Sequence, residues 1–369
     1  MKNIIETLDA KTKSVLEQNG FETIPFETLL DRLAREGIDP KRNWVKGPVT
    51  PLGDDQVDRL PEEPSEIERL EALGRAAIDA GEVAALILNG GMATRFGGRP
   101  KGVAEAVDDR SFLDLKLKQL DVEGGGKTPV LLMNSFATDE TTREHLKTLS
   151  VQSPVRPFNQ MVSVRVTRDG ELFKTDAGTP SLHAPGHGDL LYALPRSGEL
   201  DRFVEGGGKY ITVTNVDNLA AGLDPLVIGL HIDRKRPMTV EIVPIYAGDA
   251  GGFPAVLDDR PVLLEAFRVP DTFDFMDAKR FNTNSFVFDA EAFRTRADLS
   301  FYTVLKKVDG REAVQFERLI GQLTEFVEVT WLEVPREGPG SRFVPVKTPQ
   351  DLVEQADTLR TILKKQGVM

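Results

Sequence analysis

The sequence predicts an α/β protein: a Rossmann-like, mixed but mostly parallel central sheet with helices on both faces, plus a small N-terminal helical segment. Three observations carry this. Val83–Leu88 (VAALIL) is an uninterrupted apolar run, and residues 130–133 and 210–214 repeat the pattern, as strands covered on both faces do. Each run ends at a polar residue: Asn89, Asn134 or Asn215. Helical stretches follow, near residues 139–149 and from Asp224-Pro225 onward, before residues 238–245 return as a strand.

The flanking elements follow in order. Residues 1–80 read as an N-terminal helical and loop segment, 81–335 as the α/β core, and 336–369 as a C-terminal segment. Ser65 and Glu68 have the spacing of a capping box. Ile67, Leu70, Leu73, Ala77 and Ile78 then recur at helical spacing, and Gly81 is a C-terminal stop. Val162, Val164 and Val166 alternate with polar residues before Asp169-Gly170, a hairpin signal. A second hairpin is predicted around Asp258-Asp259. The stretch AVQFERLIGQLTEF (residues 313–326) reads as a helix that carries Gln315 and Glu317. A last helix spans residues 349–367, with Pro349 at its start and Lys364-Lys365 near its dipole-negative end.

Composition narrows the function. The 369 residues are 40% hydrophobic and 28% charged, which excludes a mainly disordered chain. Acidic residues outnumber basic ones, 58 to 46, for a net charge of −12, which argues against nonspecific nucleic-acid binding. The absence of cysteine removes disulfides, zinc–thiolate sites, iron–sulfur clusters and thiol nucleophiles. The first residues lack the apolar core of a signal peptide, and no run approaches the ~18 apolar residues that span a bilayer. A soluble, cytoplasmic protein without a membrane partner is the expectation.

In open α/β sheets the ligand lies beyond the carboxyl ends of the strands. The first such end is Asn89-Gly90-Gly91-Met92-Ala93-Thr94-Arg95-Phe96-Gly97-Gly98-Arg99-Pro100-Lys101-Gly102. Glycines let backbone N–H groups approach an anion, and Arg95, Arg99 and Lys101 add positive charge. The combination suits a polyphosphate. Neither the Walker spacing nor the dinucleotide fingerprint starts at Gly90 or Gly91, which weakens kinase and dehydrogenase readings. His183 and His187 are four apart, but Pro185 and Gly186 between them disfavour the helix a zinc pair needs.

At this loop the chain resembles the sugar-nucleotide pyrophosphorylases, whose signature is Gly-Gly-x-(Gly/Ala)-Thr-Arg followed by Pro-Lys. Later segments resemble the UTP-dependent branch, in order: Phe158-Asn159-Gln160, Pro185-Gly186-His187-Gly188-Asp189, Asn215-Val216-Asp217-Asn218, Phe281-Asn282-Thr283-Asn284, Val314-Gln315-Phe316-Glu317 and Arg342-Phe343-Val344-Pro345-Val346-Lys347. Together they run from about residue 88 to 352. The similarity is closest to the UTP–glucose-1-phosphate uridylyltransferases and their UDP-N-acetylhexosamine pyrophosphorylase relatives.

The resemblance implies attack by a sugar-1-phosphate oxygen on the α-phosphorus of UTP, releasing pyrophosphate. Positioning and electrostatics would carry such a reaction. By the same resemblance Arg95, Lys101 and Lys347 are the catalytic cations. Asn89, Gly90, Gly91 and Met92, with Gln160, Gly188 and Asp217, contact the nucleotide, Gln160 and Gly188 at uracil. Asp217 holds Mg²⁺, a hard cation that prefers carboxylate and phosphate oxygens. His187, Asn215, Glu265, Asn282 and Asn284 face the sugar phosphate. Glucose-1-phosphate is the expected acceptor, with N-acetylglucosamine-1-phosphate or galactose-1-phosphate as alternatives and a non-catalytic nucleotide-binding protein as the reading of a different class. Two positions depart from the pattern: Ala93 stands where many relatives have glycine, and Val216 replaces a small polar residue. The β-helical tail on which many eukaryotic relatives assemble is not expected here, and a monomer and a small homo-oligomer are both open.

Overall fold

The computed structural model describes residues 4–93, 98–295 and 297–369. Its centre is an eight-stranded sheet. In chain order the strands are β1 (Asp58–Arg59), β2 (Val83–Leu88), β3 (Val130–Asn134), β4 (Val155–Asn159), β5 (Tyr210–Asn215), β6 (Met238–Pro244), β7 (Arg280–Asp289) and β8 (Val329–Glu333). In space the order is β1-β8-β6-β7-β5-β2-β3-β4. Only β7 runs against the others, paired antiparallel to β5 on one side and β6 on the other.

Both faces of the sheet are covered, as the apolar runs require. Ala84 and Leu86 of β2, Leu131 and Met133 of β3, and Ile211 and Val213 of β5 pack with the Leu190–Ser197 and Glu199–Glu205 helices. Val83, Ala85 and Ile87, with Val130 and Leu132, face the opposite way onto the Phe112–Glu123 and Pro349–Lys365 helices. Each fully buried aliphatic side chain contributes about 1.5–3 kcal/mol, so strand tips project from a rigid base.

Local chemistry sets the ends of the elements. Asp224 caps the Pro225–Arg234 helix, its side chain accepting from Leu226 N–H at 2.9 Å. Asp258 and Asp259 take φ of 50° and 61° in the turn between Gly252–Leu257 and Arg260–Glu265, the predicted hairpin. The capping box at Ser65 is not used. Pro64 opens the Pro64–Asp79 helix directly after Glu63, and no side chain caps it.

One element differs in kind. Residues 313–317, expected to begin a helix, belong instead to the strand Arg311–Glu317, paired antiparallel with Tyr302–Val308. The turn between them is Asp309-Gly310, with φ of 49° and 75°, a two-residue hairpin signal just before the helical-looking window. Val314 also bridges Val166, so long-range pairing overrides local periodicity. A short 3₁₀ turn, Ile320–Glu325, follows. Among the described residues no helix is long and apolar enough to cross a membrane.

Two helices cross at a pair of glycines. A Cβ on Gly74 would lie 1.9 Å from the Pro225 carbonyl oxygen, and one on Gly229 1.9 Å from that of Leu70. Gly229→Ala therefore forces backbone apart and is expected to cost about 1–3 kcal/mol, read as a lower urea midpoint. An unchanged midpoint would refute the contact.

A candidate active site at the switch point of the sheet

After β2 the chain steps outward through β3 and β4, then returns to place β5 on the other side of β2. The crevice between β2 and β5 is therefore a topological switch point. It measures about 360 Å³, and its lining includes Gly90, Gly91, Lys101, Gln160, Gly186, His187, Asn215, Asp217 and Asn284. Segments scattered over more than a hundred residues of sequence thus meet in one place.

Lys101 opens a 3₁₀ turn directly after Pro100. Its ammonium donates to Asp217 Oδ2 at 2.5 Å and to the Val346 carbonyl. Both side chains are 16% exposed, so the pair is sheltered but reachable from the crevice. Lys347 is the next residue after Val346. Its side chain is exposed and its ammonium lies 6.0 Å from the centre of the Phe281 ring. Its N–H donates to Asp351 Oδ2 at 2.7 Å, at the start of the last helix. Lys101 and Asp217 therefore share one rim of the crevice, whereas Lys347 lies outside its described lining, next to the residue whose carbonyl receives Lys101.

The glycine loop divides into contact and support. Asn89 is buried, and its amide donates to Asn134 Oδ1 at 2.8 Å and Thr142 Oγ1 at 3.1 Å. A Cβ on Gly102 would sit 2.2 Å from Asn89 Oδ1. Asn89 thus underlies the Lys101 turn instead of reaching into the crevice. Gly90 is needed for closeness, since a Cβ there would fall 2.2 Å from Gln160 Nε2. Met92–Ala93 pairs with Arg99–Pro100, folding the loop back on itself. Arg95 lies outside the described residues.

The expected role of Gly188 is not supported by its geometry. Its N–H donates to the Arg318 carbonyl at 3.0 Å, and a Cβ would meet Leu319 N at 2.5 Å. It is glycine so that two backbones can touch, and its N–H is already engaged. Gly186, at φ 91°, lines the crevice in its place. His187 accepts from Ile320 N–H through Nδ1 at 3.2 Å. That bond fixes the tautomer that carries a proton on Nε2. Burial pulls its pKa down to about 4, so His187 is a neutral donor at physiological pH.

Behind it, Asp189 accepts from Arg318 at 2.8 Å and from Met161 N–H at 2.6 Å. Burial pushes Asp189 up to about 6, against the pull of Arg318. Arg318 lies 3.9 Å from the Tyr192 ring centre and 4.3 Å from that of Phe301. This buried clamp, unforeseen from sequence, holds the His187 turn; its trace was the acid inside the Gly-His-Gly-Asp segment.

The asparagines separate by register. Asn284 takes φ 58°, beside the register shift where β7 meets Glu241/Ile242 of β6. Its Nδ2 donates to Asn215 Oδ1 at 2.8 Å, and its buried Oδ1 has no partner among the described residues. Asn282 is buried and accepts from Asn284 N–H at 3.0 Å, so it supports the bulge and is not placed to touch a sugar. Gln315 and Glu317, two apart on a strand instead of on the expected helix, share a face and bond to each other. Arg165 donates to Gln315 Oε1 at 2.8 Å.

Glu265 ends the Arg260–Glu265 strand and is half-buried. Desolvation first and the Glu317 charge second push its pKa up to about 7. The folded carboxyl therefore holds its proton through a window in which the unfolded one has lost it. Its contribution to stability is present below the unfolded value of 4.5 and lost as pH rises through about 7. Glu265→Gln is expected to raise the unfolding midpoint relative to the parent at pH 8 and to change it little at pH 4. Equal effects at both pH values would contradict this.

Comparisons with known proteins identify the family and the fold. The sequence profile of the UTP–glucose-1-phosphate uridylyltransferase family matches residues 41–367. The chain is 31% identical over 326 residues to a UTP–glucose-1-phosphate uridylyltransferase from Hordeum vulgare, covering 83% of this chain and 67% of the relative. It is 30% identical over 383 residues to a probable enzyme of the same name from Schizosaccharomyces pombe, covering 96% and 73%. Among solved structures, a UDP-glucose phosphorylase from Trypanosoma brucei superposes with a TM-score of 0.77 at 24% identity, over 96% of this chain and 78% of that one. A uridine diphosphate N-acetylglucosamine pyrophosphorylase from the same organism gives 0.76 at 19% identity, over 95% and 80%; the two superpositions establish the fold. The chain thus spans about two thirds of the plant relative's length. It belongs to the UTP–glucose-1-phosphate uridylyltransferase family, a family of transferases that form UDP-glucose.

Proposed function

We propose that the switch-point crevice is where UTP and glucose-1-phosphate are joined, and that Lys101 and Asp217 divide the electrostatic work. The observation that carries this reading is their ion pair at the strand tips, where both charges face one cavity. A glucose-1-phosphate oxygen attacks the α-phosphorus of UTP. The bond to the bridging oxygen breaks, and pyrophosphate leaves with the electron pair. The attacking oxygen is already ionised, so no protein nucleophile is required; the difficulty is the meeting of anions.

Lys101 holds the triphosphate and offsets the charge that grows on the leaving pyrophosphate. Arg95 and Lys347 add positive charge at the rim, and the Gly90-Gly91 segment lets the phosphates lie close to the backbone. Gln160 offers a donor and an acceptor to the imide edge of uracil. The Nε2–H of His187 donates without titrating above about pH 5. The partnerless Oδ1 of Asn284 is an acceptor for a sugar hydroxyl.

The residues present fit Mg²⁺ in a particular way. Among the described residues no group of three His, Cys, Asp or Glu stands together, and Asp217 is the one carboxylate in the described lining. One carboxylate suits a Mg²⁺ whose other ligands are phosphate oxygens and water. When bound, Mg²⁺ would neutralise phosphate charge. Asp217 would then exchange Lys101 for the cation, leaving Lys101 to the phosphates. The lack of cysteine is compatible with a reducing compartment such as the cytoplasm.

Pyrophosphate release with UTP, Mg²⁺ and glucose-1-phosphate tests the reading, with N-acetylglucosamine-1-phosphate and galactose-1-phosphate as parallel acceptors. Release fastest with glucose-1-phosphate is expected; none with any of the three would refute it. Lys101→Ala is expected to lower kcat about 10²–10³-fold while the chain still folds. Asp217→Asn is expected to lose activity and regain part of it in excess Mg²⁺. Unaltered Mg²⁺ dependence would remove the metal from Asp217.

A further inference from the structure

Beneath the crevice lies a lysine the reaction does not touch. Lys116, in the middle of the Phe112–Glu123 helix, is fully buried. Its ammonium donates to the Asn218 carbonyl at 2.8 Å and to the Ala221 carbonyl. Two turns further along the same helix face, Glu123 accepts from Leu223 N–H at 2.6 Å and from Gln119 at 3.3 Å. One helix face therefore grips three main-chain groups of the segment that begins at Asp217. The charged groups around Lys116 are Glu123 on its own helix, Asp217, Glu241 on β6 and Arg342 on the C-terminal segment.

The grip extends to the opposite rim through Asn218. Its Nδ2 donates to the Arg342 carbonyl at 3.0 Å, and its Oδ1 accepts from Val344 N–H at 3.2 Å. Arg342 itself is anchored by a buried fork onto Glu241, at 2.6 and 2.7 Å. Val346, two residues beyond Val344, supplies the carbonyl that receives Lys101. Asn218 thus stands between the Asp217 turn and the segment that carries Lys347.

We propose that Lys116 is a positioning residue for the transfer reaction: its buried ammonium fixes the Asn218–Ala221 turn, and through it sets Asp217 against Lys101 and the Val346 carbonyl. A buried cation is costly unless its protons are bonded. Its attachment to two carbonyls therefore makes one arrangement of this turn strongly preferred. The proposal rests on the roles given above to Lys101 and Asp217. It adds a side chain that acts on them from the far side of the turn, without reaching substrate.

The test is steady-state pyrophosphate release, titrated with Mg²⁺, for Lys116→Met in the full chain. The expected result is a 10–100-fold loss of kcat, the range seen when groups that orient a metal ligand are removed, with a higher half-saturating Mg²⁺ and a KM for glucose-1-phosphate within about twofold of the parent. Leu113→Ala, a buried truncation on the same helix, is the stability control. It is expected to lower the unfolding midpoint without moving the Mg²⁺ dependence. If Lys116→Met does not fold, Lys116→Gln, which keeps two N–H donors and loses the charge, is measured in the same way. A Lys116 variant that loses only stability, as Leu113→Ala does, overturns the positioning role. Asp217→Asn, run alongside, separates the two failures. Full Mg²⁺-dependent activity there overturns the site reading and this proposal with it, whereas loss in Asp217→Asn with none at Lys116 overturns the positioning role alone.

Discussion

The contact between Lys101 and Asp217 is the hinge of this site. A cation from the turn after Pro100 and an acid just past the end of β5 are held at 2.5 Å, with the Val346 carbonyl as a second acceptor for the ammonium. Each group is kept in place by the other before any phosphate arrives. On the proposed reading, a metal-bound triphosphate would offer each a stronger partner of opposite charge, so that binding would exchange one pair for two. Sheltered charges lose little attraction to solvent screening, which would make that exchange specific to a ligand carrying both signs.

The fold supplies this contact through its strand order. β2 and β5 are neighbours with crossovers leading away in opposite directions, so their ends open a gap instead of closing over one another. The reversed strand β7 brings its first residues, not its last, to the same end of the sheet. That is how Asn284, in the left-handed region, comes to face Asn215. Support beneath is largely ionic and buried: Arg318 with Asp189 under His187, and Arg342 with Glu241 under the C-terminal segment. Such pairs add little net stability, but losing one partner strands the other charge, so they act as locks on geometry.

Much of this was legible in the sequence because the strands are buried on both faces. Unbroken apolar runs ending in Asn marked β2, β3 and β5, and residues just beyond β2 and β5, Gly90, Gly91 and Asp217 among them, line the crevice. The chemistry of individual residues was less legible. Asn89 and Gly188 sit in motif positions, yet one supports the loop and the other spends its N–H on Arg318, and neither fact follows from residue type. The stretch from Ala313 misled because its periodicity is local, whereas the pairing of Val314 with Val166 is long-range. Lys116 was invisible for a similar reason: a lysine among apolar helix residues reads as solvated until the chain places two carbonyls over it.

A structure with Mg²⁺ and a non-hydrolysable UTP analogue decides whether this pair handles the triphosphate. The Lys101 ammonium is expected within hydrogen-bonding distance of phosphate oxygens, with Asp217 on the cation and the pair between them opened. Phosphates bound elsewhere, with Lys101 and Asp217 still joined, would contradict it.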